Sequence, residues 1–122
     1  MAGYISALIG LLLMSGVFWA VANSAKKGNL PRNSAVGIRT KATQASDKAW
    51  NMAHQVAAPY LMVAAMVGLV GTVVSVGFLP FFLESGQLTN DAVVLVPIIA
   101  LVIQILLLLQ GSMKANSAAK KV

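Results

Sequence analysis

A chain of 122 residues with 58% apolar and only 10% charged side chains lacks the polar surface of a soluble domain, which carries about 25% charged residues. Its net charge of +6 leaves nucleic acid, anionic lipid or membrane topology as explanations. The absence of cysteine excludes disulfides, thiolate nucleophiles and cysteine-ligated metal.

The first element is the uncharged run AGYISALIGLLLMSGVFWAVA at residues 2–22. About 20 apolar residues cross a bilayer as a helix, so this run predicts a first span. Ala20-Val21-Ala22 resembles a signal-peptide cleavage site, but Lys26 and Lys27 follow the run and no cation precedes it. That order is the reverse of a signal peptide and favours a retained anchor. Tyr4 is expected near the outer headgroups and Trp19 near the inner ones. Ser6 and Gly10 stand four apart, a spacing of small residues that lets helices approach closely in lipid.

A basic connection at residues 23–55 follows, carrying Lys26, Lys27, Arg32, Arg39, Lys41 and Lys48. Ser46 or Thr43 can cap a short interfacial helix over about residues 46–55, with Asp47 at the positive end of its dipole. Asp47, Trp50 and His54 then share one helix face, and Trp50 and Tyr60 are expected among the inner headgroups. The connection's cations attract anionic headgroups. Arg39 also has the planar fork that binds a carboxylate or phosphate. His54 has no second His or Cys with which to hold a metal, and no cofactor is expected. A hydrolase would have to be assembled from His54, Asp47 and a hydroxyl, which is poor material. Phosphate loops and nucleotide fingerprints are absent, and the connection has little room for a nucleic-acid-reading domain.

The second uncharged block covers about residues 56–83 and is long enough to tilt. Within it Ala64, Gly68 and Thr72 recur at four-residue steps, with Gly71 and Ser75 alongside, a pattern that suits close helix contact inside the bundle or with another protein. Phe78, Phe81 and Phe82 are expected at the outer exit, and Pro80 at the helix end. The loop ESGQLTND has Glu84 and Asp91 and no cation. The third block covers about residues 92–111. Thr89, Asn90 or Asp91 can cap it, and Pro97 is expected to kink it. Gln104 must face another helix, because an amide in hydrocarbon needs a partner. Lys114, Lys120 and Lys121 follow.

All nine cations thus fall on one side of a three-span model, which predicts an outside N-terminus and a cytoplasmic C-terminus. The fold class is an all-α membrane protein, with residues 1–122 as one three-span domain. A homo-oligomer is compatible with so small a bundle.

The connection also carries a recognisable signature. Asn33 precedes Gly37-Ile38-Arg39-Thr40, with Thr43, Trp50 and His54 at fixed steps and Ser46-Asp47 at the helix start. This pattern resembles that of the SdpI family of small bacterial membrane proteins, over about residues 29–58 and more generally the flanking spans. Lys41 stands where the family commonly has Pro, Lys48 where an acid is frequent, and larger members have more spans. The resemblance implies a multi-span helical protein of the bacterial inner membrane. It also implies non-enzymatic binding, since the family's namesake confers immunity to a secreted toxic peptide and signals its presence by holding a repressor at the membrane. The partner is then a peptide, a repressor-like protein or, in a rival reading, a larger membrane complex to which this chain is an accessory subunit.

Overall fold

A computed structural model describes residues 2–33, 36–79 and 94–122. Three helices make up its regular structure: α1 (Ala2–Lys26), α2 (Asp47–Gly77) and α3 (Leu95–Lys120). Each is long and apolar enough to cross a membrane. They expose many large apolar side chains, including Leu13 (65%), Val73 (70%) and Met113 (71%). Apolar surface on that scale is stable against lipid tails, and the chain is a multi-pass membrane protein.

All three helices run past their expected ends on the loop side. The 31 residues of α2 span about 46 Å at 1.5 Å per residue, beyond the roughly 30 Å of a hydrocarbon core. The expected interfacial helix at residues 46–55 is not a separate element, because α2 begins at Asp47 and continues unbroken. No Gly or Pro interrupts residues 47–58, so nothing ends the hydrogen-bond ladder there. Pro59 lies inside α2 and deprives only the Gln55 carbonyl of a helical donor. Of the two candidate caps, Ser46 acts: its Oγ accepts from Ala49 N–H at 3.0 Å.

α1 passes Ala22 and stops four residues later in a Schellman turn. Gly28 has φ +70°; its N–H donates to Ala25 O at 3.1 Å, and Asn29 N–H donates to Ser24 O at 2.8 Å. Glycine accepts that left-handed conformation without a Cβ clash. α3 continues past Gly111 to Lys120. Pro97 sits in its first described turn, where N–H groups lack helical partners anyway, so the reason for a kink disappears. Pro80, Phe81, Phe82, Glu84, Thr89, Asn90 and Asp91, and the expected boundaries at residues 83 and 92, lie outside the described residues.

α2 is the middle helix and packs along both neighbours, while α1 and α3 touch only sparingly. Its buried positions Trp50, His54, Ala57, Leu61, Ala64 and Gly68 follow steps of three and four, with Ser75 a further seven along, the seam of a helix bundle. Leu11, Ser15, Phe18 and Ala22 of α1 and Ala100, Gln104, Gly111 and Ala115 of α3 are buried with it. Tyr4 is 2% exposed, turned into the bundle; its hydroxyl donates to Ser75 O at 2.6 Å, near the end of α2 where carbonyls lose helical donors.

Candidate functional site: the clamped connection

The segment between α1 and α2 is held by side chains, not by regular structure. Asn33 closes a turn: its Oδ1 accepts from Val36 N–H at 2.7 Å, and its Nδ2 donates to Pro31 O at 2.9 Å or Val36 O at 3.0 Å. Gly37 follows at φ +115°. A Cβ there would lie 2.7 Å from His54 Nε2 and 2.9 Å from the Trp50 ring, so only glycine lets the backbone lie against these rings.

Trp50 and His54 form the floor beneath it. Trp50 is 0% and His54 1% exposed, with ring centroids 4.1 Å apart. Trp50 therefore does not sit among headgroups. Its Nε1–H donates to Leu30 O at 2.8 Å, which satisfies the indole polar atom and allows burial. The backbone N–H of Ile38 donates to His54 Nε2 at 2.8 Å. Because that partner is a donor, Nε2 carries no proton. The proton is on Nδ1, which donates to Trp50 O at 2.8 Å. Both ring nitrogens of a neutral imidazole are thereby committed to backbone groups.

Two threonines complete the clamp. Thr43, fully buried, donates from Oγ1 to Ile38 O at 2.8 Å and accepts from Thr40 N–H at 2.8 Å. Thr40 Oγ1 donates to Asn116 Oδ1 of α3 at 2.6 Å. Ile38 is thus gripped through its N–H by His54 and through its carbonyl by Thr43, and the segment is tied to both α2 and α3.

Asp47 does not continue the Trp50–His54 surface. Its side chain is 80% exposed and pairs with Arg32, Nε to Oδ1 at 3.2 Å. Arg32 also donates from Nη1 to Gln44 O at 3.0 Å. Arg39 is exposed and has no hydrogen-bond or ion-pair partner among the described residues, so Asp47 is not its carboxylate.

The helix-contact candidates divide. Gly68 is buried where all three helices meet, and a Cβ there would overlap Ser15 Oγ and Gln104 Nε2. At Gly71 a Cβ would meet Ala100 Cβ at 2.8 Å. Ala64 is buried, and its carbonyl accepts from Gln104 Nε2 at 2.9 Å, while the other amide hydrogen reaches Ser15 Oγ at 2.8 Å. Gln104 Oε1 is buried without a hydrogen-bond partner among the described residues. The half-buried Thr72 returns its hydroxyl to Gly68 O at 2.8 Å. Ser6 is exposed, and a Cβ at Gly10 would meet nothing within 4 Å. This pair faces away from α2, because the buried positions of α1 are out of phase with it. Sequence reasoning missed Leu30, Ser15, Asn116, and Gly111 against Tyr60 (2.9 Å from its added Cβ). Only the small size of Gly111 offered a signal; Leu30 acts through its backbone carbonyl, which any residue carries.

The arrangement holds a backbone segment rigidly and leaves one guanidinium outside. A family model described as the SdpI/YfhL protein family matches residues 29–110, well over half the chain, from the start of the clamp to the last turns of α3. No curated protein and no solved structure matches.

Proposed function

This chain belongs to the SdpI/YfhL protein family, and we propose that it acts by binding and not by catalysis, as an SdpI-like protein of the bacterial inner membrane engaged in peptide immunity or in signalling a peptide's presence. The observation that carries this reading is the contrast within the clamp. The side chains of Asn33, Thr40, Thr43, Asp47, Trp50 and His54 are all engaged within the chain, Gly37 is pressed against the rings, and of these motif residues Arg39 is the one exposed with no partner among the described residues. A rigid loop holding out one arginine suits a carboxylate or phosphate on a protein or peptide partner, since the fork is pre-organised at its base. His54 is poor material for a general base, because using either nitrogen costs a buried backbone hydrogen bond. The six cations from Lys26 to Lys48 and the three after Gly111 favour a cytoplasmic clamp and C-terminus, with the N-terminus outside.

The test is partner recovery in mild detergent, with mass spectrometry, for wild type, Arg39→Lys, Arg39→Ala and Lys41→Ala. A protein that comes with wild type and Lys41→Ala, and is lost with both Arg39 variants, supports the reading. Equal recovery with Arg39→Lys and wild type overturns it. One large membrane complex recovered with all four variants points instead to an accessory subunit.

A further inference from the structure

A second feature lies on the same side of the bundle and uses none of the clamp residues. The first turns of α2 and the last turns of α3 border a cleft of about 490 Å³, lined by Met52, Val56, Lys114, Ser117, Ala118, Lys121 and Val122. On α3 the residues at 114, 117, 118 and 121 share one face. On α2, Met52 and Val56 lie one turn apart and form an apolar floor.

The side chains of Lys114 and Lys121 make no hydrogen bond or ion pair among the described residues. Asp47, the one acidic side chain among the described residues, is taken by Arg32. The apolar surface is equally bare: Met52 is 41% exposed, and Met113 (71%) and Leu109 (55%) lead on along α3 into the apolar span. The cleft therefore offers two cations and a hydroxyl at one end, and bare apolar side chains running toward the membrane core.

We propose that this cleft binds one anionic phospholipid of the leaflet on the clamp side. Its phosphate sits between Lys114, Ser117 and Lys121, and one acyl chain lies over Met52, Val56 and the α3 face. The molecule that fits both halves carries an anion joined to hydrocarbon, and a bilayer supplies it without any diffusional search. A soluble acidic protein would match the lysines and leave the apolar floor uncovered. Each lysine near an anionic headgroup contributes an attraction equal to about a fivefold change in retention, and the pair to about thirtyfold.

The experiment is native mass spectrometry of the full chain released from nanodiscs containing equal phosphatidylglycerol and phosphatidylcholine. Wild type should retain one phosphatidylglycerol in preference to phosphatidylcholine. Lys114→Gln and Lys121→Gln should each weaken retention about fivefold and together about thirtyfold, and Met52→Ser should weaken it further. The control pair Lys26→Gln and Lys41→Gln removes the same charge elsewhere and should leave retention intact. Equal retention of the two lipids, or equal loss in the control pair, would overturn the site and leave only general attraction to a basic surface. Either result is independent of Arg39.

Discussion

Ile38 and His54 meet through a backbone N–H and a ring nitrogen 2.8 Å apart, and this one bond fixes both the loop and the imidazole. The loop gains a partner for a buried donor, and the ring is held as a single neutral tautomer whose other nitrogen turns back to Trp50 O. Replacing His54 with Phe keeps the volume and removes the acceptor. An orphaned buried N–H costs about 1–3 kcal/mol, and thermal unfolding in detergent should show that loss. Thr43→Val removes the grip on the Ile38 carbonyl and should cost a similar amount. Because both side chains hold the same residue, the double variant should lose less than the sum. Strict additivity would mean that the two grips act on separate structures.

Gly37→Ala should be among the most damaging small substitutions in the chain. It forces a Cβ onto φ +115° and into the Trp50 and His54 rings. Backbone strain of about 1–2 kcal/mol and overpacking of about 1–3 kcal/mol act together. Gly10→Ala, facing open space, should leave the melting temperature unchanged or slightly raised. Matching behaviour of the two variants would contradict the close approach at Gly37.

Gly68 and Gln104 separate packing from hydrogen bonding in the bundle. Gly68→Leu or Gly71→Leu should disrupt the α2 contacts with α1 and α3, and a loss of monodispersity in size-exclusion chromatography is the expected readout. Gln104→Leu should be far milder, about 0.6 kcal/mol, the average for an interhelical hydrogen bond in a membrane, and no more than about 1.7 kcal/mol. Its Oε1 has no partner to lose, which places it toward the lower end. A Gln104→Leu variant as damaged as Gly68→Leu would show the amide to be the main fastening.

The cation distribution predicts topology. A reporter fused after Val122 should be active only in the cytoplasm, and one inserted at Gly86 only when exported. The opposite pattern would place the clamp outside and remove the proposed cytoplasmic role of Arg39.

Much of this protein is determined by sequence. Runs of about 20 uncharged apolar residues have one low-energy arrangement in a bilayer, since every backbone group must be satisfied within a helix; the three spans follow without tertiary information. The glycine, threonine, tryptophan and histidine of the clamp likewise stand in the chain at fixed steps. What the chain does not write is which way those residues turn. Spacing places Asp47, Trp50 and His54 on one face, yet Asp47 is out in solvent with Arg32 while the two rings are buried, because only the folded loop brings Leu30 and Ile38 over them. Spacing equally allows Ser6 and Gly10 to form a contact, and the phase of α1 against α2 denies it. The partners that decide burial, Thr40 with Asn116 and Gln104 with Ser15, are 76 and 89 residues apart. Such pairs exist only once three helices have chosen their faces, and that choice rests on how closely Gly68, Gly71 and Gly111 let the backbones approach.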